Sequence, residues 1–186
     1  MKGFIKQFLV ILYILFPLKA YSHPHVFFES SFIMNIDKDT VQNIEVELIL
    51  DEMNTLVYEE SFSSKKNENI PEKNISFFSD IREHIHLYYN NSEQKQNLIF
   101  ENAFLSDENL IIHFRIPVNK KINKNDKIIF SVYDPQYYYT YDYGENELKE
   151  NIKNSISKVS VDLKENENKS FYFGMVYPME YEVTFY

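Results

Sequence analysis

Cysteine and tryptophan are absent from the 186-residue chain, and it holds only 3 glycines. Without cysteine there is no disulfide framework and no thiolate, so any soft-metal chemistry falls to histidine, methionine or carboxylates. So few glycines leave no Gly-rich loop to cradle a phosphate. Basic residues are outnumbered 19 to 28, and a net charge of −9 repels a phosphate backbone, so no nucleic-acid partner is expected. The chain also lacks GxSxG and HExxH, and it lacks the repeated strand–helix alternation of a two-lobed solute receptor. It is not expected to be an enzyme. What it has in quantity is rings: 15 Tyr and 16 Phe, enough to build a core from large packed side chains.

The one long apolar run is amino-terminal. Lys2 and Lys6 precede "FLVILYILF", Pro17 interrupts it, and "LKAYS" places the small residues Ala20 and Ser22 at the −3 and −1 positions of a cleavage site. A spanning helix needs about 20 apolar residues, more than this run supplies. Residues 1–22 therefore read as a cleaved signal peptide and 23–186 as one periplasmic domain without a transmembrane helix. Loss of Lys2, Lys6 and Lys19 takes the net charge from −9 to −12.

Periodicity then gives an α+β fold, a predominantly antiparallel β-sheet or sandwich with a helix–loop–helix insertion at about residues 51–90. Val26–Ile36 and Val41–Leu50 alternate around "DKDT", a hairpin, with Ile44, Val46, Leu48 and Leu50 on one face and Glu45, Glu47 and Ile49 on the other. Met53, Leu56, Val57 and Glu60 fit a short helix. From Pro71 a second helix is predicted, because Ile75, Phe78, Ile81, Ile85 and Tyr88 recur at spacings of three and four. "NLIFENAF", "NLIIHFRIPV", "KIIFSVYDPQYYYTYDY", "SKVSVDLKE" and "YEVTFY" return to strand character.

"HPHVFFE" directly after a signal, "LDE" closing the second strand, "LIIHFRIPV" and "FSVYDPQYYYTYDY" together resemble the family called domain of unknown function 1007. The resemblance runs from His23 to about Tyr143. It implies a periplasmic component of an uncharacterised ABC-type transport system, with membrane transporter components as partners, and handling of metals such as nickel, cobalt or zinc. Many relatives look as though they carry a calcium-type loop between the inserted helices. Aligned on Phe62 and Ile70, this chain offers Ser63, Lys65 and Asn67 at the first three ligand positions, Glu68 for the turn glycine and Asn74 for the bidentate Glu, so calcium is not expected.

The metal candidates are imidazoles. In an extended strand His23 and His25 point the same way, and cleavage before His23 adds an α-amine, so His23 could chelate through amine and ring in a histidine-brace arrangement. Pro24 has no amide proton, which excludes the square-planar copper site built on deprotonated backbone nitrogens. Cu(II), Zn(II) and Ni(II) all suit such donors. The competing readings are a frayed terminus shaped only by signal cleavage and a buried structural histidine. His84 and His86, if helical, diverge by about 200° and cannot share an ion. His113 lies opposite Leu110, Ile112 and Phe114 and completes the site if its face meets the amino terminus. Asp134, at a turn in the family-like motif, is the leading carboxylate, followed by Asp51 and Glu52, with helix capping the competing role for Asp51. Tyr137, Tyr139 and Tyr141 are expected on one strand face, as packing or as an interaction surface. The expected function is a periplasmic accessory protein that binds a divalent transition metal through His-Pro-His; the alternative is a non-catalytic module that docks on a membrane transporter and binds no metal.

Overall fold

The structure is a computed structural model that describes residues 26–62, 68–154 and 158–186. Its elements follow from alternation. Strand β1 (Val26–Asp37) buries Val26, Phe28, Phe32, Met34 and Ile36 on one face, and β2 (Thr40–Leu50) answers with Val41, Ile44, Val46, Leu48 and Leu50. The two-residue turn between them, Lys38–Asp39, holds both residues at positive φ, +48° and +56°, matching the right-handed twist of the hairpin it joins. The predicted hairpin and the inward set of β2 are borne out.

After β2 the chain forms α1 (Glu52–Phe62). Asp51 caps it: the Asn54 N–H donates to Asp51 Oδ1 at 3.0 Å and the Thr55 N–H to the Asp51 carbonyl at 2.8 Å. The expected apolar stripe of this helix, however, faces outward, with Met53 76%, Leu56 59% and Val57 71% exposed. Thr55 faces the sheet instead, donating to the Leu50 carbonyl and accepting from the Leu110 N–H. A buried bridge between two strands outweighs the apolar stripe.

The long second helix predicted from Pro71 to Tyr88 is corrected. A 3₁₀ turn (Glu72–Asn74) precedes α2 (Phe78–Glu83), and β3 (Ile85–Tyr89) follows immediately. Ile81, Ile85 and Tyr88 satisfy a helical spacing, yet Ile85 and Leu87 alternate inward as a strand that pairs with β7 (Lys127–Val132). The helical insertion thus ends at Glu83.

Two sheets face each other. The first runs β5 (Ile99–Ser106), β6 (Asn109–Lys121), β2, β1, and the second β10 (Val159–Glu165), β11 (Met179–Phe185), β7, β3, β4 (Ser92–Glu93). The pairing is antiparallel with one exception: β8 (Tyr139–Asp142) and β9 (Leu148–Lys153) both lie parallel to the outer edge of β1, at Val26–Glu29 and Phe32–Asp37. The two strands act as one edge strand broken at residues 143–147. Buried residues of both sheets join in a single core. Phe32 is its hub, with ring centroids 5.0 Å from Phe130, 5.5 Å from Tyr143 and 5.9 Å from Tyr181. No helix among the described residues is long and apolar enough to cross a membrane.

This register makes a direct prediction. Removing the fully buried ring in Phe32→Ala costs about 3–5 kcal/mol, while Ile33→Ala on the opposite, 39% exposed face costs less than about 1 kcal/mol. Urea denaturation of the two variants checks it; similar losses would mean that β1 is placed one residue out of register.

Candidate functional site

The motif around Asp134 is folded by its own carboxylate. Asp134 is only 4% exposed; Oδ1 accepts the Gln136 N–H at 2.8 Å, and Oδ2 accepts the N–H groups of Tyr138 at 2.8 Å and Tyr139 at 3.1 Å. Its carbonyl takes the Tyr137 N–H at 2.9 Å. Those four bonds wind residues 134–139 into a tight turn, with Tyr137 at φ +58°, a conformation bulky residues rarely adopt. The expected row of three tyrosines on one face is therefore corrected: Tyr137 belongs to the turn, and Tyr139 and Tyr141 are both 8% exposed and point into the core. They stack on Phe28 with centroids at 6.4 and 5.4 Å. They are packing, not a docking face.

Those inward tyrosines bring polar ends into the core, and each hydroxyl finds a partner. Tyr139 donates to Asp80 Oδ2 at 2.9 Å, and Tyr141 meets His84 Nδ1 at 2.7 Å. His84, 6% exposed, presents its other nitrogen to Asp134 Oδ1 at 3.5 Å. The Asp134 carboxylate beside Nε2 calls for the N–H on that nitrogen, which leaves Nδ1 to accept from the Tyr141 hydroxyl, whose proton burial holds in place. That assigns the Nε2–H tautomer, aimed at the Asp134 carboxylate. Burial also lowers the affinity of His84 for a second proton, outweighing the opposite pull of Asp134 and Asp80. The result is an Asp134–His84–Tyr141 chain, with Tyr139–Asp80 beside it, that the sequence reading assembled only as far as Asp134.

The place of this network decides its interest. The Val26 N–H donates to the Tyr138 carbonyl at 3.2 Å, and Val26 pairs with Tyr139. The chain thus enters β1 one residue after His25 and directly against the turn that Asp134 builds. His23 and His25 themselves lie outside the described residues, as do the signal segment and the 63–67 part of the calcium-type loop.

His113 is elsewhere. It sits on the outer face of the first sheet, in a polar row across the strands: Ser31 Oγ donates to Glu47 Oε1 at 3.3 Å, and Glu47 Oε2 and Asn102 Oδ1 each lie 2.8 Å from a His113 ring nitrogen. The register sets it level with Ser31 and two strands away, roughly 20 Å from Val26 at about 3.4 Å per residue and 4.8 Å per strand. Three residues reach only about 10 Å. Both its ring nitrogens are engaged by Asn102 and Glu47, and residues 23–25 lie outside the described residues. His86, expected on a helix, lies in β3 with its ring stacked 4.1 Å from Tyr133. Asp51 is the helix cap already described.

Among the described residues no group of three or more His, Asp or Glu is arranged to hold a metal ion. His84 has Nδ1 taken by Tyr141, and Asp134 is saturated by backbone N–H groups, so neither fits as a ligand in this arrangement. Asp80 fits better, since it is exposed and takes only hydroxyl donors. The model of a family described as "Protein of unknown function (DUF1007)" matches residues 8–172. No curated protein matches the chain.

The buried imidazoles make stability pH-dependent. Burial is the main cause that lowers the proton affinity of both His84 and His86. As pH falls through about 6.5 the unfolded chain takes up protons on these rings before the native state does, so stability is intact above that pH and declines below it. The urea midpoint is expected to fall between about pH 7.5 and about pH 5.5, above the range in which ordinary carboxylates titrate, and to fall less in His84→Asn than in wild type. Equal drops in both proteins would remove His84 from the account.

Proposed function

The chain belongs to the DUF1007 family, and from that membership and the geometry around Val26 we propose that it is a periplasmic, non-enzymatic protein that binds a divalent transition metal at its exported amino terminus and serves an envelope transport system. The observation that carries this reading is the hydrogen bond from the Val26 N–H to the Tyr138 carbonyl. It anchors the chain one residue after His25, so the two imidazoles and the α-amine freed by cleavage begin from a rigid support rather than a loose tail. A chelate on a fixed base loses less conformational entropy on binding than one on a free strand.

The donors divide by role. His23 would supply amine and ring, His25 a second ring, and the nearby Asp80 carboxylate is the described group best suited to add an oxygen. Such a set of nitrogen donors with one carboxylate suits Cu(II), Zn(II) or Ni(II). The buried Asp134–His84 pair holds the turn on which Val26 is anchored, and His113 takes no part in this reading. The Asp134–His84–Tyr141 chain is buried and engaged within the fold, so the reading is of binding and delivery rather than turnover.

One observation favours a second reading, a module that docks on a transporter without metal. Phe173 is 84% and Met175 65% exposed at the tip of the bridge between Phe171 and Val176, a more exposed apolar group than the tyrosines expected to serve.

Metal analysis separates the two. Amino-terminal sequencing of the exported protein is expected to begin at His23, and the protein to bind about one equivalent of Cu(II) or Zn(II). His23→Ala and His25→Ala each lower affinity at least about tenfold, Asp80→Asn less, and His113→Ala not at all. A different first residue, or equal affinity in both histidine variants, would leave only the docking module.

A further inference from the structure

A cavity of ≈ 190 Å³ opens at the edge of the sandwich, where β7 ends, β8 begins and the 171–178 segment crosses between them. That is room for roughly six water molecules. Its walls are aromatic, with Tyr133, Tyr137, Tyr143, Phe171 and Tyr177 all in the lining. Phe171 links the set, its ring centroid 5.1 Å from that of Tyr133 and 6.2 Å from that of Tyr137. Tyr133 is braced from behind by His86, and Tyr137 is fixed at positive φ by the Asp134 turn. These rings are held in place by bonds outside the cavity.

The polar part of the lining carries one sign. Asp134 and Asp142 contribute carboxylates, and among the described residues no Lys, Arg or His lines the cavity. Asp134 is already answered by three backbone N–H groups, which leaves Asp142, exposed and in no ion pair among the described residues, as the active charge. Burial raises the Tyr133 and Tyr143 phenols, so the aromatic wall stays neutral.

Each ligand class fares differently against this lining. An anion meets Asp142 and the ring faces and is repelled. A wholly apolar ligand leaves Asp142 unmet. A bare metal ion needs several oxygen or nitrogen ligands at once, and no group of three His, Asp or Glu is arranged for one among the described residues. An ammonium ion on a short alkyl body meets both features: its charge lies beside Asp142 and the aromatic wall, and its carbons fill the aromatic space. We propose that this cavity binds a small organic ammonium ion.

The site goes beyond the metal reading and is independent of it, so the test uses the exported protein after chelation of metal. Choline is titrated by calorimetry against its neutral carbon isostere, in which carbon replaces the quaternary nitrogen. Choline is expected to bind about tenfold more tightly than the isostere. Tyr137→Leu and Asp142→Asn should each weaken choline about fivefold or more while the variants stay folded, with Asp142→Asn leaving the isostere's affinity as it was and Tyr137→Leu lowering it less than that of choline. Phosphocholine, whose phosphate meets Asp142, should bind more weakly than choline. Equal binding of choline and its isostere, tighter binding of phosphocholine, absence of choline binding by the wild-type chain, or folded variants that bind choline as wild type does would each overturn the proposal.

Discussion

The Asp134 carboxylate is the constraint on which the rest of this architecture turns. A buried carboxylate is costly unless its lone pairs are met, and here three backbone N–H groups and a histidine ring meet them. The cost is offset only in one backbone path, the tight turn through Pro135 and Tyr137. That path delivers Tyr139 and Tyr141 to the inner face and the Tyr138 carbonyl to the Val26 N–H. Without it β8 has no reason to lie parallel to β1, because the aromatic run itself fits either face of a strand.

The edge so formed is unusual for a sandwich built from hairpins. β1 would otherwise offer a long unpaired edge along the start of the chain, a template for association. β8 and β9 cover it in two pieces, and Phe32, paired with Leu148 just past the break, packs across to the second sheet and onto Tyr143 from within the break. The network of His84, Tyr141, Tyr139 and Asp80 then ties the covering strand to α2 and to its C-terminal end. Three elements distant in sequence are locked by hydroxyl and imidazole bonds that a purely apolar core would lack, and such buried polar links specify geometry when every member is satisfied.

This division explains what the sequence could show. Strands β1, β2 and β6 were legible because each buries one face, so large apolar residues recur at nearly every second position, and His113 was placed on the correct side for that reason. β9 was missed because Leu148 is its only buried residue; its evidence is backbone pairing, which leaves no mark in composition. The segment from Ile81 to Tyr88 was read as helix because residues at three and four apart satisfy that period while Ile85 and Leu87 satisfy period two, and only the neighbouring β7 decides between them. The partnership of His84 with Asp134 was out of reach for the same reason: it joins the end of a helix to a turn fifty residues later. One signal did point to it. Several tyrosines entering a core must find partners for their hydroxyls, and the buried acceptors available were few.

The turn at Asp134 also has two sides with different chemistry. Toward β1 it offers a carbonyl that holds the start of the strand, and toward the 171–178 segment it sets the ring of Tyr137 against Phe171. The two candidate binding regions are therefore supported by one short run of backbone whose geometry is fixed by a buried carboxylate. A rigid support of this kind favours affinity at both, since neither ligand has to order the turn on arrival. It also places the same group under both: loss of the Asp134 charge would release the Tyr138 and Tyr139 N–H groups together and loosen the anchor of β1 and the aromatic wall at once. The substitution that damages this protein most need not be in any ligand, because the residue that positions them all is the one already saturated by its own backbone.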